Sequence, residues 1–391
     1  MGNTCCCTNQ AQDQQNQIEG ITQRKPELPE NAFDEDQEQN TTTKIGKTTK
    51  ANAAPHNDDQ TNANSLQNDR KDSSRSITKD VYDDNSKNAV TYSHNIDPGQ
   101  QFHLPLPDIA KPITVIPEFL NENAKNTLLS QGDFLYDEDA PDDKQLPHAG
   151  PYEFENGSVY IGQWKNGNRH GRGKQYWNDG SLYEGYWRNN MAEGKGRLVH
   201  SDGDIYIGRW HKDKANGMGV YLHIDGAKYE GEWIDDKQNG MGTESWPDGA
   251  VYKGQYVDGK KEGYGKFMWA DGSVYEGQFI KNNIHGKGTY SWPDGRQYIG
   301  DWVDNRMEGK GIFTWSDGRK YEGEYLDDKK HGYGVFEWPD GRVYKGYWEN
   351  GKQHGVGYFT GPNAIEKKGE WKNGKRERWI SEDDENKEKQ K

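Results

Sequence analysis

The sequence predicts an all-β fold, an elongated single-layer twisted antiparallel ribbon of about nine and a half hairpins. Three observations predict it: a tyrosine followed two positions later by glycine recurs nine times at a spacing of 23 residues, further paired glycines follow each tyrosine, and aromatic residues recur with period two. A short fixed period is typical of repeat architectures, in which one small unit stacks on copies of itself. The nine tyrosines are Tyr160, Tyr183, Tyr206, Tyr229, Tyr252, Tyr275, Tyr298, Tyr321 and Tyr344.

Each 23-residue unit is predicted to form one β-hairpin. Counted from the tyrosine, glycine follows at +2, an aromatic residue at +4, glycines at +11 and +13, and usually Asp-Gly at +19 and +20. Alternate residues of a strand share a face, so the tyrosine, glycine and ring lie on one side and the mostly charged positions +1 and +3 on the other. Asn, Asp and Lys between the strands, and Asp-Gly between units, indicate turns. Glycines beside rings let the aromatic groups lie across the neighbouring backbone.

Both ends of the array are predicted to be atypical, as terminal repeats usually are. Gly150 and Tyr152 occupy the places of the last strand of a missing unit, so a half-repeat opens the array. After the ninth unit, Gly369 and Trp371 keep the register without the tyrosine, which predicts a degenerate closing strand that ends near Trp379.

Composition divides the chain into five parts. Residues 1–7 are predicted to be an acylation signal, 8–101 a disordered acidic and polar tether, 102–147 a Pro-rich apolar segment, 148–379 the repeat array, and 380–391 a disordered charged tail. All 14 tryptophans follow residue 147, whereas the part before it holds 25 acidic and only 13 basic side chains. A polar composition of this kind cannot bury enough apolar surface to offset the entropy of ordering.

The N-terminus predicts covalent lipid attachment. Gly2 would be exposed by removal of Met1, and Cys5, Cys6 and Cys7 follow it. Glycine in this place is typical of N-myristoylation, and adjacent cysteines are typical of palmitoylation. One myristoyl chain binds a bilayer only marginally, so the cysteines would supply the second signal that stable anchoring requires. The alternative is an unmodified tail, since Cys6 stands where Ser or Thr is usual.

The segment before the array includes a predicted short docking helix. Residues 102–136 interleave apolar side chains with prolines, and a helix is predicted from Pro117. Leu120, Ala124 and Leu128 follow one another at four-residue spacing, which puts them on one helical stripe. The stripe is expected to dock on the array or on a partner, with a sticky linker as the alternative.

The 23-residue unit resembles the MORN (membrane occupation and recognition nexus) repeat. The resemblance covers about 150–379 and rests on Tyr321-Glu322-Gly323-Glu324-Tyr325, His331-Gly332-Tyr333-Gly334 and Trp338-Pro339-Asp340-Gly341. Similar proteins are scaffolds that dimerise or clasp helical segments, so the resemblance implies protein partners, amphipathic helices among them, and leaves a homodimer open. The family name records a proposed membrane role.

Several classes of function are not expected. A net charge of −14 argues against nucleic acid as a partner. Histidines recur at +10 in four units, but equivalent places in adjacent hairpins lie about 10 Å apart, too far for two ligands of one zinc ion. The repeated Gly-x-Gly precedes no helix, so it does not indicate a nucleotide loop. No enzyme activity, cofactor or metal is therefore predicted.

The aromatic stripe is the strongest functional feature of the sequence. It either forms the core of a curled sheet or stays partly open as a groove for an amphipathic helix or a second array. The residues predicted to line this partner-binding groove are Tyr229, Trp233, Tyr252, Tyr256, Tyr275, Phe279, Trp292, Tyr298, Trp302, Trp315, Tyr321 and Trp338.

Taken together, these features predict a non-catalytic, membrane-tethered scaffold that recruits protein partners. The expected location is the cytoplasmic face of a plasma or ciliary membrane, reached through the acyl chains. One alternative is a structural subunit of a cilium or the cytoskeleton, because similar arrays occur in radial-spoke heads. Another is a regulatory partner of a separate phosphoinositide kinase.

Overall fold

The computed structural model describes residues 110–137 and 146–381, which belong to one compact unit. These residues form 22 strands and one α-helix. The predicted acylation signal, the tether and nearly all of the charged tail lie outside the described residues.

The strands fall into a leading pair, nine hairpins and a closing hairpin. The leading strands are β1 (Ala110–Pro112) and β2 (His148–Phe154), and the helix α1 (Glu122–Gln131) lies between them in the chain. The first strands of the nine hairpins are β3 (Val159–Lys165), β5 (Leu182–Arg188), β7 (Ile205–His211), β9 (Lys228–Ile234), β11 (Val251–Val257), β13 (Val274–Ile280), β15 (Gln297–Val303), β17 (Lys320–Leu326) and β19 (Val343–Glu349). The second strands are β4 (Asn168–Tyr176), β6 (Met191–Val199), β8 (Lys214–Leu222), β10 (Lys237–Ser245), β12 (Lys260–Met268), β14 (Asn283–Ser291), β16 (Arg306–Thr314), β18 (Lys329–Glu337) and β20 (Lys352–Thr360). The closing strands are β21 (Glu366–Lys372) and β22 (Lys375–Trp379).

Each strand pairs antiparallel with the next strand in the chain, from β1 to β22. The fold is therefore a single open antiparallel sheet, which confirms the predicted fold class. The closing unit differs from the prediction, because it is a two-stranded hairpin and not a single strand.

Turn chemistry explains why the hairpins form where they do. Within a hairpin, Asp235 and Asp236 have φ values of 48° and 67°, the left-handed pair that a tight hairpin turn requires and that Asn and Asp tolerate. Between units, Gly295 has φ of 87° and its N–H donates to the carbonyl of Trp292 at 3.1 Å. Asp294 accepts the N–H of Arg296 at 3.1 Å, so its side chain fixes the same turn.

A bulge in the second strand of each hairpin explains the glycine at +11. In the unit of Tyr275, Gly277 pairs with Gly288 and Phe279 pairs with Ile284, so three residues stand opposite one. The central residue of the three is Gly286, whose φ of 65° is left-handed. Glycine adopts this conformation without steric cost, which accounts for its recurrence there.

The face of the sheet that carries the repeat tyrosines and the +4 aromatic residues, here called the ring face, is the hydrophobic core. The hydroxyl of Tyr275 donates to the carbonyl of Gln278 at 2.9 Å, and its ring lies across the paired glycines of its hairpin. A Cβ added at Gly277 would lie 2.5 Å from that hydroxyl. The same ring meets Phe279 of its own unit edge-on at 5.2 Å and Trp302 of the next at 5.7 Å. Each ring is thus covered by its neighbours along the array.

The opposite face, here called the open face, carries helix α1 at one end. Asn121 caps the helix by accepting the N–H of Ala124 at 3.0 Å. Ala124 is buried against Val199 and Ile205, and the flanking leucines of the predicted stripe pack against the same cluster. The stripe therefore docks on the array itself, although the helix begins at Glu122, later than predicted.

Candidate functional site

The twelve aromatic residues predicted to line a groove lie in the core instead. Eleven of them expose at most 8% of their surface, and Trp338 is partly buried against the same cluster. The predicted aromatic groove is thus corrected to a closed row of rings, because the repeat tyrosines and +4 rings meet edge-on along the array, and tryptophans such as Trp292 and Trp315 pack on the row in tilted contacts. The residues concerned are Tyr229, Trp233, Tyr252, Tyr256, Tyr275, Phe279, Trp292, Tyr298, Trp302, Trp315, Tyr321 and Trp338.

A groove lies on the open face instead. It has a volume of 980 Å³ and crosses the units from Tyr252 to Tyr344, with backbone glycines at its floor. Tyr264, Ile299 and Tyr333 contribute large exposed apolar side chains to its lining, and Ile299 exposes 47% of its surface. A concave surface with exposed apolar side chains is the default place for a binding site.

The charges of the groove are mixed, and several are paired with each other. Lys287 is ion-paired with Asp301 of the neighbouring strand. The hydroxyl of Tyr264 donates to the carboxylate of Glu276 at 3.1 Å. Hydrogen bonds from Lys287 and from the N–H of Lys310 outweigh the effect of burial and hold the pKa of Asp301 below its ordinary value. The lowered pKa keeps Asp301 ionised at neutral pH, so its ion pair with Lys287 lies beside apolar side chains of the groove.

The side chain at +12 of each unit distinguishes one part of the open face from another. Cations occupy this place in two pairs of consecutive units, Arg172 with Lys195 and Lys287 with Lys310. Elsewhere in the array it holds methionine, tyrosine or valine. Sequence reasoning missed these cations, although a comparison of the same place across units would have found them. The residues at +12 are, in order, Arg172, Lys195, Met218, Met241, Tyr264, Lys287, Lys310, Tyr333 and Val356.

The first cation pair is covered by the segment that follows helix α1. The ammonium of Lys195 lies 3.0 Å from the carboxylate of Asp137 and donates to the carbonyl of Leu135 at 2.9 Å. Arg172 donates to the carbonyl of Asp137 at 2.9 Å, and its guanidinium carbon lies 5.4 Å from the ring centre of Tyr136. The chain therefore occupies part of its own open face with an extended aromatic and acidic segment.

A polar cluster beside helix α1 is satisfied internally. Asp204 accepts hydrogen bonds from the hydroxyl of Tyr221 at 2.9 Å and the N–H of Ile224 at 2.9 Å, and lies 2.8 Å from His223. Burial favours the neutral acid, but these partners outweigh it and hold the pKa of Asp204 below its ordinary value. Burial opposes the charge of His223 as well, yet the carboxylate raises its pKa. The cluster stabilises the turn on which the helix rests.

Neither a metal-binding cluster nor a membrane-spanning helix is present within 110–137 and 146–381. No group of three or more His, Cys, Asp or Glu side chains within these ranges could hold a metal ion. None of the helices described there is long and apolar enough to cross a bilayer.

The fold and the groove together define a β-repeat protein whose open face is the candidate binding surface. The MORN repeat family model matches ten segments that together cover just over half of the chain. The chain belongs to the MORN repeat family. The matched segments are 160–182, 183–205, 206–228, 229–251, 252–274, 275–295, 298–318, 321–341, 344–363 and 368–377.

Similarity to other known proteins is weaker. A search of the curated proteins finds no match. Among solved structures, the wild-type TCP10 domain of Danio rerio CPAP in complex with a peptide of Danio rerio STIL is 13% identical, with a TM-score of 0.32, over 60% of this chain and 98% of that one. The SAS-4 TCP domain of Drosophila melanogaster in complex with a proline-rich motif of Ana2 is 14% identical, with a TM-score of 0.26, over 40% and 85%. Virginiamycin B lyase from Staphylococcus aureus is 11% identical, with a TM-score of 0.13, over 56% and 83%. Scores this low carry no argument about function.

Proposed function

We propose that this MORN repeat protein is a non-catalytic scaffold that recruits protein partners through the groove on its open face. We further propose that acyl chains at Gly2 and at one or more of Cys5, Cys6 and Cys7 hold it at the cytoplasmic face of a membrane.

The observation that carries the proposal is the contrast between the two faces of one sheet. The aromatic rings that dominate the sequence are buried in the core, whereas the open face has a groove of 980 Å³ with exposed apolar side chains. Exposed apolar groups rimmed by charges are typical of protein interaction sites. The unit of Tyr160 adds support, since its open face already holds a segment of the same chain.

The tethering part of the proposal rests on chemistry at the N-terminus alone. Two or more acyl chains give stable membrane attachment, and a long polar tether would let the array reach partners away from the bilayer. Mass spectrometry of the natural protein tests this part. A free or acetylated N-terminus together with unacylated thiols would end it.

Proximity labelling with the intact protein tests partner recruitment. The informative variant is Ile299→Glu with Ile312→Glu, which places two charges on the groove floor. The matched control is Ile280→Glu, an exposed residue of the same face outside the groove. We expect the groove variant to lose a defined set of labelled proteins that the control retains. Identical labelling by the two variants would contradict recruitment through the groove.

Localisation of a Gly2→Ala variant separates tethering from the cytoskeletal alternative. Loss of the protein from the membrane is the expected result. An unchanged position at a cilium or another filamentous structure would favour a structural subunit.

A further inference from the structure

Two pairs of +12 cations on the open face are equivalent by repeat symmetry. One pair is covered by the chain's own segment after α1, and the other lines the groove. A shift of five 23-residue units maps Arg172 onto Lys287 and Lys195 onto Lys310. The first pair of cations lies under the chain's own segment, and Lys195 exposes 36% of its side chain. In the groove the second pair is open, and Lys287 exposes 74%. The segment seated on the first place therefore shows what chemistry this backbone and these cations accept.

The segment bound at the first place is extended and carries two aromatic residues, Phe134 and Tyr136, separated by one residue. The hydroxyl of Tyr136 donates to the carbonyl of Gly173 at 3.3 Å, and its ring meets Tyr186 edge-on at 5.4 Å. The ring of Phe134 lies 5.7 Å from the ammonium of Lys195. Such contacts combine cation–π attraction with hydrogen bonds to an ordered backbone.

The carboxylate that follows the two rings completes the contact. Asp137 lies next to Tyr136, and Lys195 binds both its side chain and the carbonyl of Leu135. Two consecutive +12 cations, Arg172 and Lys195, thus bind a short segment with the pattern aromatic, any residue, aromatic, acidic.

The seat of helix α1 has no counterpart in the groove. At the first place, the helix rests on the apolar side chains of Val199, Ile205, Ile207 and Leu222. Five units later the same places hold Thr314, Lys320, Glu322 and Glu337. An apolar helical stripe would bury charges there, which is costly. The groove therefore does not favour a docked helix.

The two side chains that lie between the cations are charged at the first place and apolar in the groove. At the first place, Glu184 and Arg197 form a buried ion pair below the segment. Five units later the same two places are Ile299 and Ile312. An apolar floor favours the rings of a ligand more than the charged floor does. Asp301, which replaces Tyr186, pairs with Lys287 and leaves Lys310 as the cation for a ligand carboxylate.

We propose that the groove binds an extended peptide segment of a partner protein with the pattern aromatic, any residue, aromatic, acidic. The two rings lie on Ile299 and Ile312, and the carboxylate pairs with Lys310. This proposal rests on the proposed partner recruitment and names the chemistry of the partner.

The test uses the full chain and a fluorescein-labelled synthetic peptide with the sequence of residues 128–139, which contains Phe134, Tyr136 and Asp137. We expect saturable binding in fluorescence anisotropy, with a Kd on the order of 0.1 mM or tighter. Removing a partner charge should weaken binding, so Lys310→Glu is expected to raise the Kd by about tenfold or more. Peptides with Asp137→Asn or with alanine at both aromatic places are expected to bind less tightly than the parent.

Two matched controls locate the binding site. Lys253→Glu makes the same charge change on the open face outside the groove and is expected to change the Kd by less than about twofold. Lys195→Glu makes that change at the equivalent place already covered by the chain and is likewise expected to have little effect. A large effect of Lys195→Glu without one of Lys310→Glu would mean that the peptide displaces the chain's own segment, which would overturn the proposal.

Other outcomes are equally decisive. A scrambled peptide that binds as tightly as the parent, or no saturable binding at all, would also overturn it. If partner labelling still depended on Ile299 and Ile312 while the peptide failed to bind, the scaffold function would stand and the peptide chemistry would be wrong.

Discussion

The covered end of the array, in the units of Tyr160 to Tyr206, and the central part of the groove, in the units of Tyr275 to Tyr321, share one ring face but have different open faces. The hydroxyls of Tyr160 and Tyr275 donate to the +3 carbonyl at 3.0 and 2.9 Å, so the repeat tyrosine is held in the same way in both. On the other face, an apolar helix seat at one end becomes a charged rim at the other. Stacking fixes the ring face of a repeat protein, whereas the open face is free to diverge and carries function.

The largest predicted effect concerns a buried polar group between the two regions. Lys261 donates to the carboxylate of Glu244 at 2.6 Å, the hydroxyl of Tyr256 donates to the same oxygen at 2.8 Å, and both charged side chains are buried. Removing one partner leaves an uncompensated buried charge, so Lys261→Met is expected to lower the free energy of unfolding by about 3–5 kcal/mol. Urea unfolding followed by tryptophan fluorescence measures it.

The next unit supplies the control for this prediction. At the same three places it has Phe267, Phe279 and Ile284. The triple variant Glu244→Phe, Tyr256→Phe, Lys261→Ile should therefore be about as stable as the wild type or more stable. If the single variant matched the wild type while the triple variant unfolded, the two regions would not share one core.

The repeat period predicted the sheet, the hairpins and the atypical ends because each unit makes the same local contacts. The glycine at +2 was correctly explained by a ring lying across the backbone, as the position of Tyr275 over Gly277 shows. The stripe of Leu120, Ala124 and Leu128 predicted a docking helix. It did not predict that the helix starts at Glu122, which depends on the cap supplied by Asn121.

The candidate binding face could not be predicted from the aromatic stripe, because residue type alone does not show whether rings cover each other. Contacts such as that of Tyr298 with Tyr325 of the next unit, at 5.1 Å, close the stripe. The groove depends on side chains such as Ile299 and Lys310, which are unremarkable within one unit. Their proposed role in peptide binding is inferred by comparing them with the equivalent residues that lie under the segment from Phe134 to Asp137.

Releasing the segment from the covered end is expected to have an intermediate effect. Ala124 is fully buried under α1, so Ala124→Asp would force a carboxylate into an apolar contact and undock the helix at a cost of about 2 kcal/mol. Hydrogen exchange should then speed up in α1 and in Val199 to Leu222, and stay unchanged around Ile299. Leu129→Asp, at a side chain that is 81% exposed, is the control and should change nothing. Faster exchange throughout the array would contradict the independence of the two regions.

The smallest predicted effect concerns the turn acids that link adjacent hairpins. Asp213 accepts the N–H of Ala192 at 2.7 Å, whereas Asn305 does the same for Ile284 at 2.8 Å. Burial raises the pKa of Asp213 above its ordinary value. A raised carboxyl pKa in the folded state stabilises the fold below the unfolded pKa of about 3.9, and this stability is lost as the pH rises through the folded value.

Asp213→Asn should therefore stabilise the protein by about 0.5 kcal/mol at pH 7 and by less at pH 3. Thermal unfolding at the two pH values measures the difference. A variant that was less stable at pH 7 than at pH 3, relative to wild type, would reverse the sign and refute the interpretation of the turn.

In the folded protein the ring face is closed by its own aromatic side chains, whereas the side chains of the groove on the open face are accessible. Nitration of tyrosines by tetranitromethane in the native protein, mapped by mass spectrometry, tests this contrast most directly, because the reaction needs an accessible phenolate. Burial raises the pKa of Tyr252, Tyr275 and Tyr298 and also shields them, so we predict no modification there. Tyr333, which is exposed in the groove, should be nitrated readily. Tyr264 is exposed as well but should react more slowly than Tyr333, because desolvation and its hydrogen bond to Glu276 raise its pKa. Modification of the three ring-face tyrosines in the folded protein at a rate similar to that of Tyr333 would mean that the ring face is open.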